Sequence, residues 1–239
     1  MLDQLKPVDN RRLYQQIADQ IRTLIRNGDF APGTRLPPER DLAQQLGVSR
    51  PSVREALIAL EIEGAVEVRM GAGVYACAPV RRSHAEVAVA GGMGESPTEL
   101  MQARSAIEGV VIQLACVRVT PQTLQPVRDA LAAMRADVRE GRQPLASDRA
   151  FHVAIATMTG NAVLVRLVGE LFDERHTPIA RRISVRAESQ QTWAAALHEH
   201  EAIVAALEHQ DVLLAQTAMR AHLDSSRQRW VEDSRQEWS

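Results

Sequence analysis

The strongest constraint on this chain is the way its helical stripes are cut. From Arg12 to Asn27 apolar side chains recur at Leu13, Ile17, Ile21, Leu24 and Ile25, the spacing of one helix face, and Gly28 supplies the stop. Ala31-Pro-Gly-Thr-Arg-Leu-Pro-Pro38 cannot be helix interior, because each proline lacks an amide donor and clashes with the preceding turn. A short helix from Pro38 carries Leu42, Ala43 and Leu46 and ends at Gly47. Ser49 caps a third, with Val53, Ala56, Leu57 and Leu60 on one face and Gly64 as its stop. Two β-like runs, 65–69 and 74–76, flank the tip Met70-Gly-Ala-Gly73. Segments this short bury their stripes only against one another, so three helices and a hairpin are expected to form one unit over residues 8–78.

Residues 79–96 change character, with small residues, three glycines and no strong stripe. They read as a linker holding a short helix near 84–90. Beyond it the chain is helical throughout. Ser96-Pro-Thr-Glu99 is a capping box with proline at the first helical position, opening a helix over 97–117, and Thr120-Pro121 opens another in the same way. Further helices are expected at 147–158, 161–186 with a break at Pro178, 189–209 and 211–236. Aromatics are only 3% of the chain, so the core must use Ala, Val, Leu and Ile, which suits close-packed helices. The fold class is therefore mostly α, with an all-α bundle over 97–236 following the hairpin-bearing unit.

Several functional classes drop out. No run approaches 18 apolar residues, so no spanning helix and no membrane partner is expected. The start MLDQLKPVDNRR lacks a signal pattern, which points to the cytoplasm, and Cys77 and Cys116 are expected to be plain thiols. Within residues 1–78 ten lysines and arginines stand against ten acids, so bulk charge gives no argument for nucleic acid. Placement does.

A short helix, a Gly-Val-Ser turn and a second helix starting at Ser49 have helix-turn-helix spacing. The second helix begins Ser49-Arg50-Pro51-Ser52-Val53-Arg54, which places hydroxyls, two guanidiniums and free backbone amides at one end. Such groups bind phosphate and read guanine in the major groove. Arg35 and Arg40 flank the same end. The tip Gly71-Ala-Gly73 is small enough to lie against a sugar-phosphate chain.

Leu36-Pro-Pro-Glu-Arg-Asp-Leu-Ala-Gln-Gln-Leu-Gly-Val-Ser-Arg-Pro-Ser-Val-Arg-Glu-Ala-Leu57, followed by Leu60, Gly64, Val66 and Gly71-Ala-Gly73, resembles the winged helix-turn-helix of the GntR family of bacterial transcription regulators. The resemblance covers residues 11–78. It implies operator contacts from Arg40, Ser49, Arg50, Ser52, Arg54 and the wing residue Gly71. Pro51 replaces a threonine often found there and removes one amide donor.

In the C-terminal half, polar groups interrupt apolar stripes. The stripes run Leu100, Arg104, Ile107, Val111, Leu114; then Asp148, Phe151, His152, Ile155; then Trp193, Ala196, Leu197, His200, Ile203, Leu207; and Val212, Ala215, Met219, His222. Four helices thus point Arg104, Asp148, His152, His200 and His222 at one core. A buried imidazole or charge is costly unless paired. Three histidines and an aspartate are a ligand set for a first-row divalent ion, with zinc expected and nickel or manganese as alternatives. Arg104 cannot ligate a metal but suits bidentate binding of a carboxylate. His198 is the competing ligand, about 200° around the helix from His200 and off the stripe. His84, His176 and His209 read as solvated.

This half resembles the FCD ligand-binding domain of the FadR subfamily, through Arg104 with Glu108, Asp148-x-x-x-His152, Thr159-Gly-Asn161, His200-Glu-Ala-Ile203 and Met219-Arg-Ala-His222. The resemblance implies that Asp148, His152, His200 and His222 bind a divalent metal, that an effector carboxylate completes its shell and meets Arg104, and that Asn161 belongs to the effector pocket. The wording of residues 49–76 is also similar to hexuronate-responsive repressors, which suggests a sugar acid. The expected protein is a homodimeric repressor of double-stranded operator DNA, controlled by a small carboxylate. A metal-responsive regulator is one alternative. A metal-dependent enzyme is the other, disfavoured because only Glu108 and Glu170 stand as loose general-base candidates.

Overall fold

In a computed structural model the chain is described over residues 12–69, 71–78 and 93–232. The expected short helix at 84–90, His84 and Met70 lie outside these residues. The fold divides between Ser96 and Pro97 into two compact units.

The first unit contains α1 (Leu13–Asn27), α2 (Glu39–Leu46), α3 (Arg50–Ile62) and the antiparallel pair β1 (Val66–Arg69) and β2 (Gly73–Ala76), in the register Val66 to Ala76 and Arg69 to Gly73. Its core is Tyr14, Ile17, Ile21, Val53, Leu57, Leu60 and Val66. Leu13 and Leu24, which the stripe placed inside, are exposed. The buried arc of α1 is centred on Tyr14, Ile17, Ala18, Ile21 and Ile25, and the two leucines sit about 80–100° from its middle. The proline-rich connector is more ordered than a turn. Leu36 donates to the Val74 carbonyl at 2.8 Å and Ala76 donates to the Thr34 carbonyl at 2.9 Å, so this stretch runs beside β2. Pro37 favours that course, because the residue before a proline is driven to extended backbone.

Residues 94–96 belong to this unit. Tyr14 Oη donates to the Gly94 carbonyl at 2.8 Å, Arg12 pairs with Glu95, and Ser96 Oγ donates to buried Glu55 at 2.8 Å.

The second unit is all helix among its described residues: α4 (Pro97–Cys116), α5 (Pro121–Arg139), α6 (Leu145–Met158), α7 (Ala162–Asp173), α8 (Pro178–Ala187), α9 (Gln190–Glu208) and α10 (Val212–Arg227). Helix α6 packs on α4, α5 and α7, while α10 packs on α4 and α9. Met101, Ile112, Phe151, Ile155, Ile203 and Met219 lie in the shared core. The expected long helix over 161–186 breaks earlier than Pro178. It leaves α7 at Asp173 through a 3-10 turn, Glu174–His176, and Pro178 holds Thr177 extended. The last α-helix ends at Arg227 and passes into a π turn over Gln228–Glu232. In α4 the stripe is rotated: Leu114 is exposed and Glu108 is buried.

Candidate functional site

The reader presents one helix start. Ser49 caps α3, its hydroxyl accepting from the Ser52 amide at 3.3 Å and lying 2.8 Å from the Ser52 hydroxyl. Arg50 projects from the same turn, and Arg40 is exposed with Nε 3.2 Å from Asp41. Gly71 turns the wing at φ +67°, and Arg35 passes beneath Gly73, where a Cβ would come 2.5 Å from the arginine Nε. Arg54 is placed differently from the expectation. Its side chain is 5% exposed and donates to Glu39, itself 2% exposed, at 3.0 Å. Only the first turn of α3 emerges; one turn further in, the helix is enclosed, and Arg54 falls there. On the wing, Arg69 pairs with Glu67 and lies 4.3 Å from the Tyr75 ring centre, a basic group that sequence reasoning did not single out.

In the second unit the four polar residues of the stripes meet. Asp148 and His152 come from α6, His200 from α9 and His222 from α10, and one ligand atom from each lies within 4.8 Å of all the others. Each imidazole has its Nδ1 against an acceptor outside the cluster: the Ala196 carbonyl at 2.6 Å for His200, Glu199 at 2.8 Å for His222 and Glu108 at 2.5 Å for His152. For His200 and His222 these acceptors assign the proton to Nδ1 and leave Nε2 for the cluster, while His152 Nδ1 stands at ion-pair distance from Glu108 without a hydrogen bond. Asp148 Oδ1 lies 3.0 Å from His200 Nε2 and 3.3 Å from His152 Nε2, yet these three buried atoms make no hydrogen bond. Convergent lone pairs with nothing to share repel. A divalent cation removes the conflict, and the donor set fits one.

The carboxylates around the cluster are held ionised. Burial pushes Glu108 upward, but Arg104 and His152 outweigh it and hold the carboxyl at about 2. Burial is likewise overcome at Glu199, where Arg229 and His222 hold it at about 2, and at Asp148, kept well below the usual range by His152 and His200. For His222, burial and then the neighbouring His200 lower the imidazole to about 3.

Arg104 is buried, with Nε 2.7 Å from Glu108 and Nη2 unpartnered. An inner cavity of about 50 Å³ opens on Asp148, His200 and His222; the guanidiniums on its wall are Arg175 and Arg229. Arg175 donates to Asp148 Oδ2 at 2.9 Å, and Arg229 holds Glu199 at 2.7 Å. Asn161 does not line this cavity; its side-chain oxygen caps α7, accepting from the Val163 and Leu164 amides. His198 is 88% exposed, and His176, His209 and Glu170 are exposed as well. Sequence reasoning missed Glu199, Arg175 and Arg229. Nothing in their spacing distinguishes them from solvated charges.

A winged helix-turn-helix followed by an all-helical domain with a buried histidine cluster defines a class of DNA-binding regulators. The sequence pattern of bacterial regulatory proteins, gntR family, matches residues 13–76, and that of the FCD domain matches residues 99–225. The chain belongs to the GntR family, as a transcription regulator of the FCD type. It is 35% identical over 228 residues to the Uxu operon transcriptional regulator of Escherichia coli K12, covering 94% of this chain and 89% of that one. It is 34% identical over 226 residues to the Exu regulon transcriptional regulator of the same strain, covering 91% and 84%. A solved structure described as E. coli McbR/YncC shares the fold, with a TM-score of 0.50 at 21% identity, covering 90% of this chain and 95% of that one. These relatives are regulators, not enzymes. No helix among the described residues is long and apolar enough to cross a membrane.

Proposed function

We propose that the chain is a repressor whose hold on operator DNA is released by a small carboxylate bound at the histidine cluster. The observation that carries this reading is the convergence of one ligand atom from each of Asp148, His152, His200 and His222, with His200 and His222 oriented from behind, beside a cavity lined by Arg175 and Arg229. A divalent ion held by Asp148, His152, His200 and His222 would supply a Lewis-acidic docking point for the acid; zinc suits the donor set best, and nickel or manganese would also fit. Arg175 and Arg229 place positive charge at the cavity wall, and Arg104 keeps a buried, unpartnered Nη2 for an anion. The acid acts by binding DNA-competent and DNA-incompetent arrangements with different affinity. A sugar acid is the favoured class: residues 49–76 resemble hexuronate-responsive repressors, and the relatives regulate the Uxu operon and the Exu regulon.

On the DNA side, Arg40, Ser49, Arg50, Ser52 and the wing around Gly71 touch the operator, with Arg35 beneath the wing. Arg54 acts through Glu39, which also lies 3.8 Å from Arg50. Val110, Leu114 and Val117 of α4, with Leu213 and Leu214 of neighbouring α10, are exposed, and this apolar face supports pairing with a second copy.

The test is operator binding by the full chain at constant metal while small acids are varied, using operators recovered by sequencing DNA pulled down with the protein. Release by an acid supports the reading. Release that follows metal concentration and ignores every acid replaces it with a metal-responsive regulator.

A further inference from the structure

Glu188, at the end of α8, is met by four N–H donors. Its Oε1 accepts from Arg175 at 3.0 Å and Trp230 at 3.2 Å, and its Oε2 from Gln143 at 2.5 Å and Trp193 at 3.4 Å. Gln143, Arg175, Glu188 and Trp193, with Leu145, line both the inner cavity and an adjoining outer basin of about 430 Å³, as their shared wall. The inner cavity of about 50 Å³ has room for roughly three to five waters at 10–15 Å³ each, which is a carboxylate and little more. A five- or six-carbon acid anchored at the histidine cluster is larger than this space, and the residues lining both spaces are the ones its far end would meet.

That wall is built as a binding site. All four groups meeting Glu188 donate, so they suit a ligand rich in acceptor oxygens, and the Trp193 indole, which lines both spaces, offers an apolar face for the C–H side of a sugar. Arg175 stays oriented without Glu188, since it also holds Asp148 and stacks 4.3 Å from the Trp230 ring centre and 5.1 Å from that of Phe172. A displaced Glu188 carboxylate would turn toward the outer basin, which Arg181 lines.

We infer that Glu188 is an internal stand-in for the hydroxylated end of the effector, and that a polyhydroxy acid displaces it to take over the donors of Gln143, Arg175, Trp193 and Trp230. This rests on the carboxylate reading above. A two-carbon acid fits the inner cavity and leaves Glu188 in place. Glu188 thereby sets a penalty that only long polyhydroxy acids meet and only they can repay.

The experiment is calorimetric titration of the metal-loaded full chain with D-glucuronate and with acetate, in the natural protein, Glu188→Gln and Glu188→Ala. If the wall is open about a tenth of the time in the natural protein, both variants bind glucuronate about tenfold more tightly, with acetate unchanged within about twofold. Indole emission gives a readout free of any change at Glu188. With Trp238 replaced by Phe, glucuronate should shift the emission of Trp193 and Trp230 and acetate should not. Equal effects of the variants on both acids, unchanged glucuronate affinity, or an emission shift common to both acids overturns the inference while leaving the carboxylate reading standing. Failure of both acids to bind the natural protein overturns both.

Discussion

The Nδ1 of His222 lies 2.8 Å from Glu199 Oε2, and both oxygens of that carboxylate are held by Arg229, at 2.7 and 2.8 Å. One guanidinium thus fixes a carboxylate that fixes an imidazole. Partners behind a ligand typically change metal affinity by about 10–100-fold when removed, so Glu199→Gln should weaken metal binding by that order while the protein stays folded. Competition against a chelator of known affinity measures it; an unchanged constant would show that Glu199 does not orient His222.

Loss of a ligand should be more severe. The natural protein should purify with about one divalent ion per chain, His200→Ala and His222→Ala should purify without it, and His198→Ala should keep it. Elemental analysis on protein reloaded under identical conditions decides the matter. Retention by both alanine variants would remove the proposed centre.

In the reader, two neighbouring arginines should part company. Arg50→Ala should leave stability nearly intact and weaken operator binding by about 1–3 kcal/mol if it reads a guanine edge. Arg54→Ala strands Glu39 in the interior and should destabilise the protein by about 3–5 kcal/mol. Urea unfolding combined with DNA titration separates the two. Equal stability losses would contradict the different placements.

The carboxylates behind the histidines make an acid-range prediction for the metal-free protein. Glu199 is held at about 2 in the fold against an ordinary value near 4.5, so the folded state prefers its ionised form. Its contribution is fully present above about pH 4.5 and is lost as the pH falls through the folded value. The stability gap between the natural protein and Glu199→Gln should therefore be constant above that point and close toward pH 2. A gap that widens with acid in urea midpoints would reverse the sign and rule out the pairing.

Much of this was legible before any coordinates, for definite reasons. Gly28, Gly47 and Gly64 cut the stripes cleanly, and period and position alone bring Asp148, His152, His200 and His222 to one core. What stayed hidden depends on phase and on distance along the chain. Glu108, four residues from Arg104, reads in the sequence as a loose general-base candidate, and its burial against Arg104 and His152 depends on the rotation of α4 from the stripe's apparent centre. Glu188 gathers donors from residues 143, 175, 193 and 230, a convergence that no local pattern encodes. The pairing of Arg54 with buried Glu39 is hidden too, because a basic residue in a recognition helix reads the same whether it faces DNA or a buried glutamate.

The most direct test of the central claim holds the acid constant and removes the metal. Fluorescence anisotropy of labelled operator should show release by D-glucuronate from metal-loaded protein, no release from chelator-stripped protein, and recovery when the ion is restored. His222→Ala should bind the operator and ignore the acid. Equal release from loaded and stripped protein, or a normal response from His222→Ala, would contradict the claim that the acid acts at the histidine cluster.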